Sequence, residues 1–122
     1  METPKIFESE YRFCLLLWEH EPINSTQLAA LCKEKLGWSK ATTYTVIRRL
    51  ADRGVLKNEN ATVTSLVSKE DAQKSRLDEM MQDTFEGSMP AFLAAFSRTK
   101  RLTRDEVEQL QAFIDSYQED ES

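Results

Sequence analysis

The sequence predicts a mainly α-helical fold, in which a winged helix-turn-helix domain with a small β-wing precedes a helical dimerisation part. The first observation is a helical stripe at i, i+3, i+4 and i+7 spacing, formed by Thr43, Val46, Ile47 and Leu50. The second is the segment that follows, residues 55–67, which has the composition of two short strands around a turn. The third is the presence of only three Gly and three Pro in 122 residues, which favours helices joined by short turns.

Apolar spacing and capping residues predict the first two helices. The first helix should run over about residues 9–20, before Glu21-Pro22 ends it. Its predicted buried stripe consists of Tyr11, Cys14, Leu15 and Trp18. Asn24, Ser25 and Thr26 supply capping oxygens for a second helix over about residues 25–35. The residues that this helix directs inward are predicted to be Leu28, Leu31 and Cys32.

The third helix is predicted to begin after the capping residue Ser39 and to end at Arg53, where Gly54 adopts a left-handed conformation. Its exposed face carries cations that suit phosphates, and hydroxyls and a guanidinium that suit base edges in a major groove. With one further cation from the wing, the predicted DNA-binding residues are Ser39, Lys40, Thr42, Tyr44, Thr45, Arg48, Arg49 and Lys57.

The wing and the later helices are predicted from turn and capping residues. The wing should turn at residues 58–61, and a fourth helix should start at the cap Ser68, with Asp71 at N3, and reach Phe85. A short apolar helix over 89–96, a polar connector over 97–102 and a last helix capped by Thr103 and Glu106 should follow. The acidic residues after 115 are expected to form a solvated tail. We assign residues 1–68 to the winged-helix DNA-binding domain and 69–122 to the helical dimerisation region.

The charge is unevenly distributed along the chain. The net charge is −5, but residues 1–70 hold ten Lys/Arg and nine Asp/Glu, whereas residues 71–122 hold six and twelve. Within the first part, residues 38–57 contain five cations and one acid. Contact with phosphates requires such a local basic patch, and a chain with a negative net charge can still carry one.

The C-terminal region carries more apolar surface than an isolated extension needs. The predicted dimerisation residues are Leu77, Met81, Phe85, Phe92, Leu93, Phe96, Leu110, Phe113 and Ile114. This surface could instead fold back on the winged helix of the same chain. We favour a homodimer, because helix-turn-helix proteins usually pair to contact two half-sites.

Enzymatic activity is not indicated by the sequence. There is no GxSxG, HExxH, Gly-rich phosphate loop or CxxC motif, and the single histidine, His20, has no second His or acidic cluster near it. We therefore expect no catalytic residue, no metal and no cofactor. Cys14 and Cys32 fall on the buried stripes of helices, which favours reduced thiols in a cytoplasmic protein.

No targeting or membrane segment is predicted. The longest apolar run, residues 14–18, is far shorter than the ~20 residues of a membrane-spanning helix. The first residues lack the basic and then apolar pattern of a secretory signal. We expect a cytoplasmic protein without membrane insertion.

The ordered set of motifs resembles the BlaI/MecI (penicillinase repressor) family of winged-helix transcriptional regulators over nearly the whole chain. Ser9-Glu10 and Leu17-Trp18 resemble the first-helix signature of the family. The wing's end, Leu66-Val67-Ser68, is similar as well. The recognition-helix motif is matched by Trp38-Ser39, Thr42, Thr45, Arg49-Leu50 and Gly54.

The resemblance implies a transcriptional repressor that binds an inverted-repeat operator as a homodimer. In one branch of the family, a membrane-bound sensor protease causes cleavage before a Phe, and the corresponding pair here is Ala95-Phe96, where Ala replaces the family's Asn. Release by proteolysis and release by a ligand therefore both stay open. Copper sensing through C-terminal Cys-x-Cys motifs is excluded, since no cysteine follows Cys32.

A second class of function is a protein-interaction adaptor, a winged helix without DNA binding that holds a partner on its C-terminal apolar surface. The acidic balance of residues 71–122 favours the adaptor slightly, and the basic balance of residues 38–57 opposes it.

Overall fold

The computed structural model describes residues 3–117, which contain six helices and three short strands and agree with the predicted, mainly α-helical fold class. Of the predicted acidic tail, residues 118–122 lie outside the described part. The elements in chain order are α1 (Glu8–His20), β1 (Ile23–Asn24), α2 (Ser25–Leu36), α3 (Lys40–Asp52), β2 (Leu56–Glu59), β3 (Thr62–Ser65), α4 (Lys69–Phe85), α5 (Met89–Thr99) and α6 (Arg104–Ser116).

Two compact units make up the chain, one that ends at Asp78 and one that begins at Glu79. The first contains α1–α3, the strands and the beginning of α4, which adds the buried Ala72 to the core. This core is apolar and closely packed, as expected of a small domain. Its largest fully buried apolar side chains are Phe13, Leu17, Leu28, Leu50, Leu56, Val55 and Val63.

The buried face of α1 differs from the predicted stripe. Phe13, Cys14 and Leu17 are its buried apolar residues, whereas Tyr11, Leu15 and Trp18 are only half-buried. The prediction was wrong in this respect because α1 packs against both α2 and β3, so that its buried surface is wider than one stripe. In α2 the buried apolar residues are Leu28, Ala29 and Cys32, and the predicted Leu31 is half-buried.

The wing belongs to a three-stranded antiparallel sheet of order β1-β3-β2. Strand β1 was not predicted, because only two residues pair, Ile23 with Val63 and Asn24 with Thr62. The wing turn is also tighter than predicted, since Asn58 and Glu59 still pair with β3.

The wing turn itself consists of Asn60 and Ala61, with φ of 51° and 64°. Two successive residues with positive φ are typical of a type I′ hairpin turn, a conformation that Asn tolerates better than Ala. The carbonyl of Ala61 accepts a hydrogen bond from the amide of Ser25, at 2.7 Å, which ties the turn to the start of α2.

The second unit contains the end of α4, then α5 and α6. Ser88 and Thr103 cap the last two helices, and Thr103 forms the predicted capping box with Glu106. Helix α5 continues to Thr99, so the predicted connector over 97–102 was wrong in its first half. The helix is longer than its apolar segment because the hydroxyls of Ser97 and Thr99 donate to carbonyls one turn earlier, Ala94 O and Phe96 O, and so add no unsatisfied group.

Candidate nucleic-acid interface

Three residues set the turn between α2 and α3. Gly37 has a φ of 71°, a left-handed conformation that glycine adopts without steric cost, and its amide donates to the Lys33 carbonyl. Trp38 then stacks on Phe13, with ring centroids 6.0 Å apart and planes 4° apart. Ser39 caps α3 by accepting the amide hydrogen of Thr42 at 3.1 Å. These contacts fix where the third helix begins on the core.

The buried face of α3 consists of the four predicted residues, Thr43, Val46, Ile47 and Leu50. Thr43 is the polar member of this face, and its hydroxyl donates to the Ser39 carbonyl at 3.2 Å. Gly54 follows the helix with a φ of 82°, as predicted. The helix is therefore anchored along its whole length by one stripe, and this leaves its opposite face exposed.

Three cations lie on that opposite face. Lys40, Arg48 and Arg49 are all exposed. Among residues 3–117 none of the three has an ion pair with an acid. Their charge is therefore available to an anionic partner, which is the property that contact with a phosphate backbone requires.

The hydroxyl groups of the same face keep free acceptor capacity. Thr42 Oγ1 accepts from Ser39 Oγ at 2.9 Å, and Thr45 Oγ1 donates to the Ala41 carbonyl at 3.0 Å. A hydroxyl with one bond already made holds its orientation and still has lone pairs for a further donor. Thr42 is exposed and Thr45 is half-buried, so both lie at or near the surface of α3.

Tyr44 has a different position from the other predicted contact residues. It is half-buried, and hydrogen bonding to the hydroxyls of Thr26 and Ser25 lowers the pKa of its phenol below the ordinary value. The Lys40 ammonium lies 5.9 Å from its ring centroid. Tyr44 thus links α3 to the first turn of α2, and its ring helps to set the angle between the two helices.

Arg53 is one of the five cations of residues 38–57, but it does not lie on the free cationic face of α3. Arg53 Nη2 pairs with the carboxylate of Glu10, and Arg53 Nη1 donates to the Lys5 carbonyl at 2.9 Å. The guanidinium also lies 5.2 Å from the centroid of the Phe7 ring. Glu10 is a buried acid, 6% exposed, and its other oxygen accepts the Phe7 amide hydrogen. Arg53 therefore holds the end of α3 on α1 and is not available to DNA.

The wing contributes one predicted contact residue, Lys57 of β2. Lys57 is exposed, and its ammonium lies 3.6 Å from a carboxylate oxygen of Glu59 on the same strand. An exposed pair of this kind is weak and can exchange for a stronger anion. Between α3 and the wing runs a shallow groove of about 260 Å³, lined by Tyr44, Ile47, Arg48, Ala51 and Asn58.

In the second unit the predicted dimerisation residues form two groups. The ring of Phe92 packs against those of Phe85 and Phe96, with centroid distances of 5.6 and 6.0 Å. These three and Met81 are half-buried, whereas Leu93, Leu110, Phe113 and Ile114 are exposed, Phe113 by 64%. A groove of about 500 Å³ between α5 and α6 is lined mainly by Phe92, Leu93, Phe96, Leu102 and Leu110. Leu77, the remaining predicted residue, belongs to the first unit and is 51% exposed.

The predicted cleavage pair lies inside a helix. Ala95 and Phe96 are both half-buried residues of α5, and the non-helical connector is limited to residues 100–103. A protease acts on extended backbone, so cleavage at 95–96 requires local unwinding of α5.

Metal ligands and reactive thiols are not apparent in the described part. No group of three or more His, Cys, Asp or Glu residues within 3–117 could hold a metal ion. Burial raises the pKa of the Cys14 thiol to about 12, and burial likewise raises the pKa of Cys32. Among the described helices none has the length and the apolar character needed to cross a bilayer.

A helix-turn-helix with a capped second helix, an exposed cationic face on that helix and a β-wing defines the class of winged-helix DNA-binding proteins. Comparison with known families agrees, because the penicillinase repressor family profile matches residues 6–116. The chain therefore belongs to the penicillinase repressor family and is a DNA-binding repressor of that family.

Individual relatives agree with this assignment. The penicillinase repressor of Bacillus licheniformis is 18% identical over 120 residues, which cover 95% of this chain and 94% of the relative. An uncharacterised 16.5 kDa protein from the ptsI 3′ region of Latilactobacillus sakei is 30% identical over 86 residues, 64% of this chain and 59% of that protein.

Two solved structures show the same fold. One is the monomeric form of Bacillus licheniformis BlaI in complex with the blaP half-operator, with a TM-score of 0.51 and 25% identity. The other is the DNA-binding domain of the repressor BlaI, with a TM-score of 0.50 and 26% identity. Each match covers 58% of this chain and 93% of the solved chain.

Proposed function

We propose that this protein represses transcription as a homodimer that binds an inverted-repeat operator, with α3 of each protomer in a major groove. The observation that carries the proposal is the exposed face of α3, where Lys40, Arg48 and Arg49 have no acidic partner among residues 3–117. The complex of BlaI with a half-operator supports the same use of the corresponding domain here.

The polar residues of this face divide by the kind of contact for which they are suited. Arg49 can present a guanidinium fork to a guanine, and Thr42 and Thr45 can contact base edges or a thymine methyl group. Lys40, Arg48 and Lys57 suit phosphates, which position the protein without selecting the sequence. Ser39 and Tyr44 act on the helix itself, through the cap of α3 and the contact with α2.

We further propose that the helical region after residue 68 forms the dimer, while residues 1–68 bind DNA. The apolar faces of α5 and α6 support this, since Leu93, Leu110, Phe113 and Ile114 are 42–64% exposed. Complete burial of a fully exposed side chain of this size gains about 1.5–3 kcal/mol, so each of these half-exposed residues would gain roughly 1–1.5 kcal/mol when a second copy covers it. Two linked half-site contacts then bind far more tightly than either alone.

For release from DNA, we propose proteolysis of the C-terminal region in the cytoplasm, with a membrane-bound sensor protease as the upstream partner. Two stretches are candidates: the pair Ala95-Phe96, after local unwinding of α5, and the exposed connector at 100–103. A cut at either place would separate α6 from the rest of the apolar surface. The dimer would weaken, and the affinity for the operator would fall with it.

A gel-shift assay with genomic fragments tests the proposal at about 50 and about 200 mM salt. If Lys40, Arg48 and Lys57 of both protomers meet phosphates, about six counterions are released, and the affinity should fall roughly 10³-fold between the two conditions. Arg48→Ala should flatten the salt dependence and lower the affinity for every sequence alike. Arg104→Ala, which removes an exposed cation of the second unit, is the matched control. No shift at either salt concentration would favour the adaptor, which uses the apolar face of the second unit for another protein.

A further inference from the structure

The first turns of α4 are held against α1 by a layered contact centred on Tyr11. The guanidinium carbon of Arg76 lies 4.1 Å from the centroid of the Tyr11 ring, which is close for a cation above an aromatic face. The ring of Trp18 packs against Tyr11 from another direction, with centroids 5.8 Å apart and an interplanar angle of 67°.

Polar contacts complete this arrangement. Arg76 Nη2 pairs with Glu8 Oε2 at 2.8 Å, and Gln73 Nε2 donates to the Tyr11 hydroxyl at 3.4 Å. The Trp18 indole N–H donates to the carbonyl of Val67, just before α4, at 3.0 Å. We call the set Glu8, Tyr11, Trp18, Gln73 and Arg76 the Tyr11 clamp.

The Tyr11 clamp orients the beginning of α4 and adds little to the hydrophobic core. The core beneath it is closed by Val67 and Ala72, which are 7% and 2% exposed, whereas the side chain of Arg76 is 34% exposed. A flat guanidinium on a ring restricts rotation and tilt, because sliding it off the ring loses the contact and also separates the Glu8 pair. The beginning of α4 therefore has one preferred orientation on the winged helix.

We infer that the Tyr11 clamp selects the spacing of operator half-sites. This inference rests on the proposed function, in which residues after 68 join two protomers. If α4 leaves each winged helix in one direction, the two α3 helices can meet only a narrow range of half-site separations. Inserting one base pair changes the separation by about 3.4 Å and also changes the helical phase. Tyr11 and Arg76 are thus positioning residues that act on specificity through α4.

The test uses the full chain and DNA of known spacing. Wild-type protein first selects binding sequences from random duplexes. Three kinds of duplex are then synthesised: paired half-sites at the selected spacing, paired half-sites with one or two base pairs added or removed between them, and a single half-site. The variants compared are Arg76→Gln and Tyr11→Leu, which remove the contact, and Tyr11→Phe, which keeps the ring. Lys74→Gln is the matched control, because it removes an exposed cation of α4 that pairs with Asp78.

We expect Arg76→Gln and Tyr11→Leu to bind the single half-site within about twofold of wild type while the penalty for wrong spacing shrinks about fivefold, the factor that one ring–guanidinium contact corresponds to. Tyr11→Phe and Lys74→Gln should keep the wild-type penalty. If a variant binds the single half-site as wild type does, its winged-helix domain is folded. A smaller spacing penalty in that variant then cannot result from loss of folding.

The outcomes separate the inference from the proposal beneath it. If wild type selects paired half-sites and Arg76→Gln keeps the same spacing profile, the inference is overturned and the proposed function stands. If wild type selects no paired half-sites, the proposed function is overturned, and the inference falls with it. Loss of single half-site binding in Arg76→Gln also overturns the inference, because the clamp would then be needed for the fold of the winged-helix domain itself.

Discussion

Replacing Arg53 by Ala is expected to destabilise the protein strongly, although Arg53 lies in the most basic segment of the chain. The change removes the partner of Glu10, a residue that is 6% exposed and whose carboxylate also accepts a hydrogen bond from the Phe7 amide. Breaking a fully buried ion pair from one side costs about 3–5 kcal/mol. Because the Arg53 side chain is 28% exposed, water can partly replace it, and we expect a loss of about 2–3 kcal/mol.

Urea unfolding followed by the fluorescence of Trp18 and Trp38 measures this loss. With an m value of about 1–2 kcal/mol per M for a domain of this size, the midpoint should fall by about 1–3 M. Arg48→Ala is the matched control, because Arg48 is exposed and has no ion pair among residues 3–117; its free energy of unfolding should stay within about 0.5 kcal/mol of wild type.

A double substitution separates the buried charge from general loss of packing. Glu10→Leu combined with Arg53→Met replaces the ion pair by apolar side chains and should recover most of the stability that Arg53→Ala loses. Two results would contradict a buried ion pair at this place: a free energy of unfolding for Arg53→Ala within about 0.5 kcal/mol of wild type, or a double variant as unstable as the single changes Glu10→Leu and Arg53→Met added together.

Three further outcomes follow from the geometry. Arg49→Ala and Thr45→Ala should each weaken binding to the selected operator by about 1–3 kcal/mol in a gel shift, with little change in binding to unrelated DNA. An equal loss of affinity for the operator and for unrelated DNA would show that these residues do not contact bases. Because burial raises the pKa of Cys14 to about 12, only about one thiol in 10⁴ is ionised at pH 8. A thiol reagent should therefore label Cys14 slowly in the native protein and quickly in urea, and fast labelling of the native protein would contradict the burial of Cys14. A chain truncated after Asp78 retains the compact first unit and should sediment as a monomer that binds a half-site weakly, and a dimeric fragment would place the interface elsewhere.

Local signals made much of the fold predictable. The caps Ser39 and Thr103 and the left-handed Gly54 each depend on a few neighbouring residues, and all three have the predicted role. The four-residue stripe of α3 was predictable because helical periodicity reports burial directly when one face packs on the core. With the stripe assigned, the exposed face that carries the candidate site followed from the same spacing.

Contacts between distant residues were not predictable. The Glu10–Arg53 pair joins residues 43 positions apart, and the Arg76–Glu8 pair joins residues 68 apart. In one sequence nothing distinguishes a cation that will meet a buried acid from one that will remain free, so the charge of residues 38–57 alone did not reveal the structural role of Arg53. The short strand β1 was missed for a similar reason, since its two residues are defined by pairing with β3 and have no periodicity of their own.

The most direct test of the central claim is to sequence the DNA that the purified full-length protein retains from a random pool of duplexes, beside the same selection with Arg49→Ala. We predict that the wild-type pool is enriched in an inverted repeat whose half-sites lie about 10 base pairs apart, centre to centre, or a multiple of that distance. The Arg49→Ala pool should lose the preference at one base pair of each half-site. A wild-type pool without an enriched motif, or with a motif that lacks two-fold symmetry, would contradict the account.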